Sequence, residues 1–460
     1  MSQKYFKLFS FITIMGMFLA ACGGAAETPT PETVKETVVV TEEVKVTEQV
    51  EVTKEVETSG GTVNVLGTWG GSEIEKFNDA IAPFKEETGY GVAFEGTRDL
   101  SAILTTRVEG GNPPDIAILP NPGLMQSFAE QGELVDISQF MDMDSLQNDY
   151  KQVWLDLGSH NDTLYGIFYK AAVKSLVWYV PANFEEAGYE VPETWDEMIA
   201  LSDQIVEDNP EGQRKPWCIG IESGAASGWP ATDWVEDIML RTAGPETYDQ
   251  WVDHEIAWTS DPVSNAVGMF GDIARNEDYV VGGTQGVVST NFQDAPNFMF
   301  GEDYSCYMHR QASFVTSFFP DDVTAEDYDF FPFPPINEEY GTPVLGGADL
   351  IVMLNDTPEA RALMQYLATP EPQEIWAEAG GFISPHQGVD PAVYPDDLTR
   401  KQAETLTEAE VFRFDASDLM PSAVGSGAFW EGMVNYVSEG NLDSVLQNIE
   451  TAAEDAYGGQ

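Results

Sequence analysis

From Thr62 to Leu119, short apolar runs alternate with stretches of helical spacing, and this alternation limits the fold more than any other feature of the chain. Val63, Val65 and Leu66 form a short strand that ends at Gly67. Ser72 and Glu75 then stand as an S-x-x-E capping box. Ile74, Phe77, Ile81 and Phe84 follow at helical spacing, and Gly89 supplies a C-cap. A second strand is expected at Val92 to Phe94, a helix from about Leu100 to Val108, and a third, buried strand from Asp115 to Leu119. A β-α-β-α-β order implies a parallel sheet. Ligands of such sheets sit where strand C-termini meet helix N-termini. Two loops fall there, Trp69-Gly70-Gly71-Ser72-Glu73 and Pro120-Asn121-Pro122-Gly123.

Further along, Thr194-Trp195-Asp196-Glu197 is a second capping box, opening a helix through about Val206. A late strand from Leu350 to Leu354 precedes a helix from Pro358 to Leu367. The chain closes with helical stretches at Ala428 to Val437 and Leu442 to Tyr457. With 460 residues, two cores of roughly 200 residues each match ordinary domain sizes. The expected class is therefore α/β with two lobes.

The N-terminal sixty residues read as an address and a spacer. Lys4 and Lys7 precede an apolar run from Leu8 to Ala21 that is too short for an ordinary membrane span. Leu19-Ala20-Ala21-Cys22 resembles the bacterial lipoprotein signal, in which the cysteine receives lipid; a plain secretory peptide is the alternative. Residues 22–60 repeat a Thr- and Val-containing hexad from Thr41 to Thr58 and carry many glutamates. An extended, self-repelling tether is expected, with a weak β-ribbon as the alternative.

Composition removes several classes. Lys and Arg number 21 against 78 Asp and Glu, a formal charge of −57, so a nucleic-acid partner is not expected. The four histidines are far apart and no HExxH or CxxC occurs, which argues against common zinc sites. No phosphate loop, dinucleotide fingerprint or GxSxG elbow is present, and no cofactor is expected.

Four segments carry a resemblance in this order: Gly110-Gly111-Asn112-Pro113-Pro114-Asp115-Ile116-Ala117, Leu164-Tyr165-Gly166-Ile167, Val191-Pro192-Glu193-Thr194-Trp195-Asp196-Glu197 and Gly425-Ser426-Gly427-Ala428-Phe429-Trp430. Together they resemble the sugar-binding group of extracellular solute-binding proteins of ABC importers, which includes maltose- and α-glucoside-binding proteins. The resemblance implies two lobes of the periplasmic-binding-protein type, with the ligand held between them and a hinge crossed more than once. It places crossings near Lys174 to Tyr179, Val344 to Leu350 and Ile383 to His386. Residues 61–175 plus 346–385 then form the first lobe, and 176–345 plus 386–460 the second. It further implies a monomer, anchored outside the cell membrane through Cys22, that binds a small carbohydrate and hands it to permease subunits without catalysis.

A sugar presents apolar C–H faces and a girdle of hydroxyls, so its site needs flat aromatics and polar rim groups. Candidates are Trp69, Trp178, Trp229, Trp234 and Trp430 for the faces, each with a core position as the alternative. Glu73, Arg98, Asn121, Lys174 and Asp349 are the candidates for the rim. Trp430 matches a stacking tryptophan of the maltose-binding group. Lys174 stands where that group carries a ligand-facing acid, and pairing with a nearby carboxylate is its alternative role. If Cys22 is lipidated, Cys218 and Cys306 remain as one disulfide pair within one lobe, against two separate buried thiols. A glycoside hydrolase needs two opposed carboxylates. Asp233, Glu236 and Asp237 share a helical face, yet nothing marks such a pair. A surface lectin, or the same fold holding a polyol phosphate or polyamine, completes the alternatives.

Overall fold

The computed structural model describes residues 60–458, and the expected signal, Cys22 and tether lie outside them. Two sheets organise these residues. The first contains β1 (Thr62–Gly67), β2 (Gly91–Gly96), β3 (Ile116–Leu119), β6 (Gly166–Val173), β11 (Val344–Met353) and β12 (Phe412–Phe414). β1 pairs in parallel with both β2 and β3, as the opening alternation requires. β11 is longer than the expected strand at Leu350 to Leu354 and runs antiparallel to both β3 and β6. Its burial on both faces explains why no alternation announced its full length. β4 (Ser159–His160) and β5 (Thr163–Leu164) form a small hairpin.

The second sheet has the order β10 (Asp329–Pro332), β7 (Leu176–Tyr179), β9 (Cys306–Arg310) and β8 (Lys215–Trp217). Each sheet has its own core. Leu66, Phe77, Ile118, Val352 and Trp376 lie in the first, and Trp217, Trp234, Trp251, Phe270 and Phe429 in the second. Cys218 and Cys306 form a disulfide across 88 residues beside the parallel β8–β9 pair.

Local signals hold at some helix ends and fail at others. Thr194 Oγ1 accepts from Glu197 N at 3.2 Å, so the second N-cap signal holds over Trp195–Asp208, although Glu197 Oε2 reaches back to Glu193 N at 2.8 Å rather than to Thr194 N. The first does not. The helix Ser72–Ala80 begins after Gly71 without a side-chain cap, and Glu73 rather than Glu75 turns back, its Oε2 accepting from Gly70 N at 3.3 Å.

The chain passes between the sheets at three places. It leaves β6 through Lys174 and Ser175 into β7, and returns between β10 and β11. It leaves β12 through Asp415 into Ala416, which packs in the second core. The third passage corrects the expectation of a return near Ile383 to His386. Tyr394, Ala403, Leu406 and Phe414 still belong to the first core, and β12 pairs with β11. Hydrogen bonds tie the passages together: Lys174 N donates to Leu345 O at 2.8 Å and Asp415 N to Gly346 O at 2.9 Å.

Candidate ligand-binding site between the lobes

The loop after β1 and the middle of β11 build the first-lobe wall. Trp69 stacks on Phe94 and packs edge-on against Trp376, while its Nε1 donates to Asp349 Oδ2 at 2.6 Å. It is thus a buried support that orients Asp349 rather than an open stacking face. Glu73 is buried, paired with Lys170 and 3.9 Å from Arg98. Burial works against its carboxylate, but the Lys170 charge and hydrogen bond, then Arg98 and the Gly70 N–H, outweigh it and hold Glu73 below its usual range. Asp349 goes the other way: burial pushes it up to about 6 despite Lys170 and the Trp69 hydrogen bond.

Across the junction, a helix start and a π-to-α helical junction supply aromatic faces. Trp229 opens the helix Trp229–Ala243 and packs against Phe292 and Phe314, with ring centroids 5.0 and 6.0 Å away. Trp430 begins the α-helix Trp430–Glu439 directly after the π-helical turn Ala423–Phe429, and its Nε1 donates to Ser417 Oγ at 3.4 Å. Gly228 brings the two together. A Cβ there would come within 2.1 Å of the Trp430 carbonyl oxygen, and its φ of 108° itself favours glycine. Both rings are only partly buried.

Several contacts close the lobes on each other. The Arg98 guanidinium lies 5.2 Å from the Phe292 ring centre, and Lys170 Nζ lies 5.8 Å from that of Phe314. Ala225 N donates to Asp99 Oδ1 at 3.2 Å. Arg98, Trp229, Asp349 and Trp430 therefore border one junction, joined by residues that sequence reasoning passed over: Lys170, Phe292, Phe314 and Asp418. Lys170 lies on an uninterrupted buried strand, and the phenylalanines on short one-turn helices and loops, where no periodicity sets them apart.

Other candidates serve the scaffold. Asn121 is buried as an N-cap, its Oδ1 accepting from Leu124 N at 2.9 Å. Trp178 is 0% exposed, enclosed by Phe319, Tyr328 and Phe330, and donates to Gln311 O at 2.8 Å. Trp234 is 1% exposed among Trp217, Phe270 and Phe333. Its position five residues beyond Trp229 turns it to the core-facing side of the same helix. Lys174 is buried between Asp233, at 3.0 Å, and Asp415, with Asp418 at 3.7 Å, the pairing alternative to a ligand contact.

Asp233, Glu236 and Asp415 bring one oxygen each within 4.8 Å of one another, and the Lys174 ammonium lies against two of them as their cation. Asp237 is held by Arg241 at 2.5 Å and Arg310 at 2.6 Å. These acids are closed off from solvent, so the helical triplet is not the open carboxylate pair that glycoside hydrolysis requires.

Residues 70–374 match the family model described as bacterial extracellular solute-binding protein. The chain belongs to this family. It is a binding protein rather than an enzyme. The osmoprotective compounds-binding protein GgtB of Synechocystis sp. is 50% identical over 84% of this chain and 91% of its own length. The α-glucosides-binding periplasmic protein AglE of Rhizobium meliloti is 44% identical over 85% of this chain and 87% of its own. The solved structure of the bacterial solute receptor AcbH is 20% identical with a TM-score of 0.74, covering 86% of this chain and 99% of the receptor. At that identity the likeness shows the two-lobed fold alone.

Proposed function

We propose that this protein captures an uncharged polyhydroxylated solute, an α-glucoside or a compact osmoprotective compound, and delivers it to the permease subunits of an ABC importer. The observation that carries this reading is the pairing of aromatic faces with carboxyl rims at the junction while its lysines are already engaged. Trp229 and Trp430 offer flat surfaces for C–H groups, and Asp349 can accept hydroxyl hydrogen bonds. Lys170 and Lys174 are held by Glu73 and by Asp233 and Asp415, which leaves a phosphate-bearing solute without a free lysine there. The names of the two relatives support the same solute class.

The strongly acidic composition suits work in salty surroundings, and the relative that binds osmoprotective compounds points the same way. Cys22 would hold the protein by lipid at the outer face of the cell membrane, with residues 22–60 as spacer; replacing Cys22 by Ser should move the protein from the membrane to the soluble fraction. The solute reading is tested by titrating the protein with trehalose, sucrose, maltose, maltotriose and glycerol phosphate while following tryptophan fluorescence. A saturable change at about micromolar sugar, near −8 kcal/mol, supports it. A response to glycerol phosphate alone contradicts it.

A further inference from the structure

Asp99 stands where an aspartate usually serves its own helix. It is the N-cap of the helix Leu100–Glu109, a place from which the carboxylate ordinarily accepts from an N–H of the first turn. Here the side chain makes no such cap, and its Oδ1 accepts instead from Ala225 N of the second lobe at 3.2 Å. The turn that presents Asp99 is braced from the first lobe. Asp99 N donates to Thr97 Oγ1 at 3.1 Å, and Thr97 N donates to Gly67 O at the end of β1 at 2.9 Å. Beside it, the Arg98 guanidinium lies 5.2 Å from the ring centre of Phe292 and 5.9 Å from that of Phe318.

The second-lobe side is one braced platform. Glu222 accepts from Gly224 N at 2.7 Å and from Asn291 Nδ2 at 2.6 Å, and its carbonyl accepts from Phe292 N at 3.0 Å. The turn carrying Ala225 and the segment carrying Phe292 are thus tied together. Gly228 N, donating to Ile221 O at 2.8 Å, joins them to the second core. Gly224 has a φ of 59°, and a Cβ there would lie 3.4 Å from Asp99 Oδ1, so the platform offers the carboxylate bare backbone.

These contacts lie away from the hinge. The passages between the lobes leave from β6, β11 and β12, whereas Asp99 follows β2, the last strand in the order β12-β11-β3-β1-β2. β2 is three strands from β11, roughly 14 Å at about 4.8 Å per strand. Asp99 and Ala225 are both exposed, and each is fixed to its own lobe, so a hinge rotation that opens the junction parts them. Phe292 connects this rim to the site, since its ring lies under Arg98 and 5.0 Å from that of Trp229.

We propose that Asp99, with Arg98 beside it, is a clasp across the mouth of the junction that limits the length of solute the protein retains, a limit that rests on the sugar reading above. A solute seated on Trp229 that ends inside the clasp lets the carboxylate reach Ala225 N and is held by full closure. One that reaches past Asp99 keeps the two apart and is held without that contribution. A hydrogen bond to a charged acceptor at an exposed rim changes the closure equilibrium several-fold.

Closure itself is read without solute. Full-length protein carrying C22S is labelled at E86C on the first lobe and E207C on the second, both exposed positions, and the apposed population is followed by energy transfer. D99A should lower that population several-fold, while D99N, which keeps an acceptor oxygen but not the charge, should retain most of it. Equal losses in both variants would assign Asp99 to the charge at the start of its own helix and overturn the proposal, as would no loss in either. The length limit is read by calorimetric titration with maltose, maltotriose, maltotetraose and maltopentaose. Wild type should lose affinity by at least tenfold at one step of the series. D99A should weaken the sugars before that step several-fold and leave those beyond it unchanged. Level affinity across the series, or a D99A loss shared by every length, overturns the limit. A protein that binds none of the four fails the sugar reading, and the energy-transfer result alone then decides the clasp.

Discussion

Five tryptophans were candidates for one role, and at the scale of residues three different roles emerge, Trp69 being the buried support of Asp349. Trp178 and Trp234 are sealed in the cores, whereas Trp229 and Trp430 keep part of their rings open at the junction. Trp234→Ala should cost about 3–5 kcal/mol in urea unfolding, the usual price of emptying a large aromatic site. Trp229→Ala should leave stability nearer to wild type and weaken sugar binding by about tenfold, roughly 1.4 kcal/mol by calorimetric titration. If the two substitutions exchanged these effects, the assignment would be reversed. The composition marks tryptophan as abundant, but the side to which each ring turns depends on where its helix begins. A glycine before Trp229 is visible in the sequence; its contact with the Trp430 backbone is not.

At the scale of elements, the site rests on helix starts and crossing strands more than on loops. Gly228 lets the first turn of one helix touch the backbone of Trp430, where a π-helical turn passes into the next helix, so Gly228→Ala should push Trp430 from its place. We expect weaker sugar binding together with a lower unfolding midpoint, checked by titration and thermal melting; unchanged binding would show that the two are not coupled. The opening β-α-β-α-β pattern, the second N-cap signal and the helix Pro358–Leu367 were legible because each is local. The third passage between the lobes was not, because β12 is three residues long and is fixed by pairing with a strand about seventy residues earlier. The Lys170–Glu73 pair escaped for a similar reason, since its partners are 97 residues apart.

For the whole molecule, the disulfide and the buried acids set the response to conditions. Reducing or deleting Cys218–Cys306, which closes a long loop in the second lobe, should cost about 2–5 kcal/mol in urea unfolding. Asp349 is raised to about 6 in the fold, so the folded chain holds a proton that the unfolded chain releases at lower pH. Its contribution therefore falls as pH rises from about 4 to 6 and stays lost above that, on the order of 2–3 kcal/mol. Asp349→Asn should flatten this part of the stability profile. His309 acts in the opposite sense: burial first, and Arg310 beside it, push it down to about 4 against the Cys218 carbonyl hydrogen bond. Its contribution is complete above pH 6.5 and is lost as pH falls through 4.

Capture of a neutral solute at the junction of the lobes is tested most directly by hydrogen exchange, with and without the sugar that saturates the fluorescence change. Protection should concentrate in the segments around Trp69 to Glu73, Arg98, Ala225 to Trp229 and Ser417 to Trp430. Protection confined to the outer groove lined by Trp195, Met269 and Tyr279 would contradict the account.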